Sequence, residues 1–193
     1  MHLPDLSRIQ YHRGPCDADE WACPLLSIGW YEVPEELPRG EAPAALVTQL
    51  EEFLDAVREC YPAFHFRGLH QCTLCDPGKW RGEEPPFLSN LNLWVPATDC
   101  VYLMPGLALH YITTHGYLPP QDFIAAVMAS PVPGTDAYHE ALRAANRGLP
   151  VPLRSPGEAE ADHKAMLEEF RILREKRRLE EAGHAEGSGL QQG

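Results

Sequence analysis

The chain has 193 residues, 44% hydrophobic and 23% charged, with a formal net charge of −12. That length suits one ordinary domain with appendages and a real core. An acidic surface repels phosphate, so broad nucleic-acid binding is not expected, and no apolar run approaches the roughly 18–20 residues that span a bilayer.

The opening residues, MHLPDLSRIQYHRG, lack the basic stretch and apolar stretch of a secretory signal. The expected setting is therefore the cytoplasm, where thiols stay reduced. Six cysteines in such a setting point to metal or chemistry before disulfides. The 19 prolines follow no period, which predicts short elements joined by stiff turns.

Residues 1–24, with Cys16 and Cys23 among acids and prolines, are expected to form a loosely packed arm. Leu25 to Tyr31 reads as a short strand. Pro43 opens the clearest helix: Leu46, Leu50, Phe53, Leu54 and Val57 fall at i, i+4, i+7, i+8 and i+11, and the helix should end before Pro62. Phe64 to Arg67 looks extended and leads into the segment containing Cys72-x-x-Cys75, followed by a proline- and glycine-rich loop over 79–86. Leu91, Leu93 and Val95 alternate with Asn92 and Trp94, the period of a half-buried strand, and Val101 to Met104 completes a hairpin.

Pro105 suits a first helical position. The helix it opens should run to His115, with Gly116 as its left-handed cap. Pro119-Pro120 introduces another helix that buries Phe123, Ile124 and Val127, and a short helix is expected over 136–146. From about Gly157 the composition turns charged. A long exposed helix over 158–181, with Met166, Phe170 and Leu173 as a thin seam, precedes a tail rich in Gly, Ser and Gln.

The chemistry concentrates in four residues. Cys72 and Cys75 place two thiolates at one tight turn, and His110 and His115 supply two imidazoles at a helix end. Zinc takes this mixture of sulfur and nitrogen, usually as four ligands in a tetrahedron. Histidines five apart on an ideal helix point about 140° away from each other, so the pair requires a helix end that tightens or unwinds. Four protein ligands leave no open position, so one such Zn2+ per chain would be structural.

Other readings compete. The CxxC pair could be a redox sensor, although Pro77-Gly78 stops the helix that a thioredoxin-type motif opens. The histidines could be ordinary, one in the core and one at a helix C-terminus. His70 could replace one of them or support a ligand from behind. His65, His70 and Asp76 could form an acid–base group for an enzyme using histidine or metal chemistry. No H-E-x-x-H, P-loop, dinucleotide fingerprint or G-x-S-x-G occurs to carry catalysis. The basic cluster Arg174 to Arg178 is interrupted and flanked by glutamates, so it does not restore nucleic-acid binding.

Taken together, Leu26-Ser-Ile-Gly-Trp30, His70-x-Cys72-x-x-Cys75, Leu91-Asn-Leu-Trp-Val95, Val101-Tyr-x-x-Pro105 and His110-Tyr-x-x-x-His115-Gly-Tyr117-x-Pro-Pro120-x-x-Phe123 form an ordered set. That set resembles a family of small uncharacterised bacterial proteins over roughly residues 25–130. The resemblance implies that Cys72, Cys75, His110 and His115 act together and implies no activity.

The expectation is an α+β fold, a small antiparallel sheet packed by several helices with a zinc-knuckle, ββα-like clamp and a C-terminal exposed helix. Its parts are an arm at 1–24, a zinc-clamped core at 25–133, a helical extension at 134–182 and a disordered tail at 183–193. The expected role is a non-enzymatic protein-binding or adaptor module. One form of it is an immunity- or antitoxin-like protein whose acidity suits a basic partner surface.

Overall fold

The computed structural model describes residues 3–9, 21–32, 36–61, 70–75 and 88–151, together with Lys164 and Arg171. It divides into two units, Met1–Ser155 and Pro156–Gly193. In the second unit Lys164 and Arg171 are helical, and the remainder of the expected exposed helix and tail lies outside the described residues.

The first unit is α+β. In chain order it contains β1 (Leu25–Ser27), α1 (Ala44–Cys60), β2 (His70–Gln71), β3 (Leu88–Ser89), β4 (Asn92–Pro96), β5 (Val101–Pro105), α2 (Leu107–His115), α3 (Gln121–Ala129) and α4 (Asp136–Ala145). β4 and β5 form the expected hairpin, with Trp94 opposite Leu103. The three-stranded sheet is mixed rather than antiparallel, because β1 joins β5 in parallel, Leu25 opposite Val101. β2 and β3 make a separate antiparallel pair.

The apolar stripe of α1 is wholly buried, as its spacing requires, and α1 packs against α2, α3 and β4. Its end at Cys60 stands just before Pro62. β4 departs from the half-buried expectation: Asn92 and Trp94 are as inaccessible as Leu93 and Val95. Three helices, α1, α3 and α4, pack against that one strand, and the alternation of side chains no longer separates core from solvent. α4 belongs with this core. Its Tyr138 is fully buried and donates its hydroxyl to the Trp94 carbonyl at 2.6 Å, while Asn146 accepts from the Ala22 amide at 2.6 Å.

Residues 3–9 are not a loose arm. They run antiparallel beside β1, with bridges at Leu3–Trp30 and Arg8–Leu26, and Ile9 and Ser27 are buried. The free edge of β1 explains this: Ile9 N–H donates to Leu25 and Ser27 N–H to Ser7, so the strand is paired on both sides. Trp21 and Cys23 are also buried, and residues 10–20 of the expected arm, with Cys16, lie outside the described residues.

Pro105 ends β5 opposite Asn92 instead of opening a helix, since Gly106 N–H still donates to Leu91 and continues the hairpin. α2 then begins at Leu107 and closes on Gly116, whose φ of 67° is the expected left-handed cap. α3 buries Phe123, Ile124 and Val127. Among the described residues, no helix is long and apolar enough to cross a membrane.

Candidate metal centre

The C-terminal end of α2 and the turn after β2 face each other. Residues 73–75 form a bend directly after Cys72, which is buried, and Cys75 within it is half-buried. Facing them, His110 is buried and His115, the last helical residue, is half-buried. Cys75 Sγ lies 3.2 Å from His110 Nε2 and 3.4 Å from His115 Nε2, and Cys72 Sγ lies 3.3 Å from His115 Nε2. All four donor atoms fall within 4.8 Å of one another, close enough to hold one metal ion.

The two histidines converge at a helix end that opens, as the spacing requires: the Gly116 N–H donates to the Tyr111 carbonyl five residues back and the Tyr117 N–H reaches the same oxygen at 3.0 Å. α2 remains helical through His115, and the rings meet edge to face with centroids 5.0 Å apart. Each presents Nε2, the ring nitrogen farther from the backbone. The widened last turn and that reach act together across the angular gap that five-residue spacing leaves on an ideal helix.

The surroundings favour neutral imidazoles. Burial lowers the pKa of His110, and its neighbour His115 lowers it further. Burial does the same at His115, helped by the Arg39 guanidinium. A neutral imidazole is the form that donates a lone pair to a metal. Burial, followed by the Cys72 and Cys75 thiols, raises the pKa of Tyr111, which donates its hydroxyl to the Tyr31 carbonyl at 3.2 Å.

Outside the four donors, Thr114 Oγ1 stands 3.2 Å from His110 Nδ1 and Arg39 Nη1 donates to the His115 carbonyl at 3.4 Å. Sequence reasoning did not single out either residue. Thr114 had a usable signal, since it lies four residues after His110 on the same helix face. Arg39 had none: it arrives through a bridge between Arg39 and Tyr117, flanked by bonds from Gly40 to Gly116 and from Leu118 to Pro38. A groove of about 500 Å³ adjoins the centre, lined by Glu36, Leu37, Arg39, Leu74 and His115.

Of the other candidates, His65 and Asp76 lie outside the described residues. His70 contributes its backbone to β2, and its side chain also lies outside them.

The family model described as a domain of unknown function (DUF7919) matches residues 1–128. The chain belongs to that family. No curated protein and no solved structure matches the chain. The matched stretch contains all four donors, strands β1 to β5 and the segment at 3–9, whereas α4 lies beyond it although it packs into the same core.

Proposed function

We propose that this member of the family is a zinc-stabilised module that binds another protein, held in shape by one structural Zn2+ on Cys72, Cys75, His110 and His115. The observation that carries the reading is the convergence of two sulfurs and two imidazole nitrogens within 4.8 Å. Zinc bonds of roughly 2.3 Å to sulfur and 2.0–2.1 Å to nitrogen at tetrahedral angles separate S from N by about 3.5 Å. The observed separations of 3.2 to 3.4 Å lie near that value. Two thiolates balance the charge of the ion, and the full ligand set leaves no position for a hydrolytic water.

What zinc supplies here is a fastener between the turn at 72–75 and the end of α2, elements whose ligands stand 35 to 43 residues apart in the chain. The net charge of −12 suits a partner with a basic face, and an immunity- or antitoxin-like masking of a basic toxin surface is one form of that role. Elemental analysis of reduced, untagged protein tests the centre, with Cys72→Ser and His110→Ala beside the wild type. About one zinc per chain, lost in both variants together with thermal stability, supports it. A well-folded wild type without metal sinks it.

The groove favours a second reading, an enzyme that uses Glu36 and His115, both of which line it. Against it, His115 Nε2 faces the sulfurs of Cys72 and Cys75 and is committed to them. Magnetic-resonance screening of zinc-loaded protein with small fragments separates the two. Ligands that shift the groove signals and are lost in Glu36→Gln favour the enzyme, and a silent groove favours the binding module.

A further inference from the structure

The proposed zinc site requires His110 to ligate through Nε2, the nitrogen that faces Cys75. A neutral imidazole carries its one proton on the other nitrogen when Nε2 gives its lone pair to a metal. His110 Nδ1 therefore bears a hydrogen that needs an acceptor, and this ring is too buried for solvent to be the ready choice. Thr114 Oγ1 stands 3.2 Å from that nitrogen. The neighbouring Thr113 does not compete, because its hydroxyl donates back to the Leu109 carbonyl at 3.0 Å.

We infer that Thr114 is the positioning residue of the metal centre: its hydroxyl accepts the Nδ1 proton of His110, fixes the tautomer and aims Nε2 at the ion. The inference rests on the zinc reading above. Partners of this kind orient ligating histidines and raise their basicity, and losing one typically weakens metal binding 10- to 100-fold. The helix provides the geometry, since residues four apart share a face and Thr114 follows His110 by four. Nothing comparable is required of Thr113, one residue earlier on the same exposed turn. The pair therefore supplies an internal control.

The test measures zinc affinity by chelator competition in Thr114→Val, Thr114→Ser and Thr113→Val. Valine keeps the shape and β-branching of threonine and replaces its hydroxyl with a methyl group. Thr114 is exposed, so the metal-free melting temperature should stay within about 2 °C of wild type. Thr114→Val is expected to bind zinc about 10- to 100-fold more weakly, with Thr114→Ser and Thr113→Val within about threefold of wild type. Nitrogen-15 spectra of the zinc form should show the His110 Nδ1 proton exchanging slowly in wild type and the serine variant and rapidly in Thr114→Val. Wild-type affinity in Thr114→Val, with zinc bound normally by the parent, overturns the role of Thr114 alone. A parent that takes up no zinc overturns the metal reading itself and this role with it.

Discussion

Two polar clusters pin distant segments to the end of α2, and they do it by different physics. The candidate metal centre brings two thiols from residues 72–75 and two imidazoles of α2 around one point. The second cluster holds the N-terminal segment. Asp5 accepts from the Gly29 amide at 2.8 Å, from the Tyr31 hydroxyl at 2.8 Å and from the Tyr117 hydroxyl at 2.9 Å. Tyr117 is fully buried, follows the Gly116 cap directly and packs edge to face on Tyr31. Gly29 has no choice of residue in this lock: its φ is 71°, and a Cβ there would stand 2.5 Å from that of Ala108. The carboxylate lock is complete within the chain, because each polar group has its partner. The thiol–imidazole corner is a donor set that an ion would complete.

On the zinc reading, removing the ion should separate them most. With free zinc at a thousandfold excess over its Kd, metal contributes about 4 kcal/mol to folding, and Cys72→Ser forfeits that amount. For a domain of this size the melting temperature should fall by about 8–16 °C, measured calorimetrically with and without a chelator. Chelator should lower the wild-type transition and leave that of Cys72→Ser unchanged. An equal response in both proteins would show that stability at this corner does not come from the four donors.

Asp5→Ala is the matching cut on the other side. It strands the buried Tyr117 hydroxyl and the Gly29 amide, and should cost about 3 kcal/mol, discounted for the half-buried position of Asp5. Zinc content should stay at the wild-type value. Loss of metal in this variant would mean that the two clusters form one cooperative unit.

The clusters differ equally in how far the sequence discloses them. Donor sets suited to a metal come in short pairs, so Cys72 with Cys75 and His110 with His115 are visible as spacings, and one helix-cap glycine marks where the second pair ends. The lock has no such grammar. Its partners stand 24, 26 and 112 residues from Asp5, and nothing local distinguishes that aspartate from any exposed acid. The same division runs through the fold. The stripe of α1 was legible because helix periodicity is local, while the parallel union of Leu25 with Val101 depends on a long crossover connection that three strand residues cannot announce. Burial of Asn92 and Trp94 was hidden for a related reason, because it comes from helices packed on β4 and not from the pattern within the strand.

The clusters should also fail at opposite ends of the pH scale. The His110 and His115 pKa values are lowered in the fold by burial, so the unfolded chain takes up protons first and stability falls as pH drops below the ordinary value of 6.5. On the zinc reading, protons would also compete with the ion for the same four donors and steepen the acid limb. In the lock the direction reverses. Burial, reinforced by Asp5, holds the pKa values of Tyr31 and Tyr117 above the ordinary 10. Their contribution is whole below pH 10 and is lost as pH rises through the folded-state values, at about 1.4 kcal/mol per pH unit for a fully buried phenol. Tyr102, whose pKa burial pushes up to about 12, adds to the same limb. Denaturant midpoints from pH 5 to 11 should show the acid limb shrink in Cys72→Ser with the alkaline limb intact.

The smallest expected effect divides the lock itself. Tyr31 and Tyr117 donate to the same oxygen of Asp5, at 2.8 and 2.9 Å, yet one ring is half-buried and the other has no exposure. A hydroxyl whose residue is only partly desolvated on folding gains less from its protein partner than one that has exchanged water for that partner completely. Tyr117→Phe should therefore cost about 1.5 kcal/mol, and Tyr31→Phe about 0.5 kcal/mol, read as shifts in urea midpoint at constant slope. The carboxylate keeps one phenol and the Gly29 amide in either variant, so neither should approach the loss in Asp5→Ala. Equal costs would place the strength of the lock in the charge of Asp5 rather than in the burial of its donors.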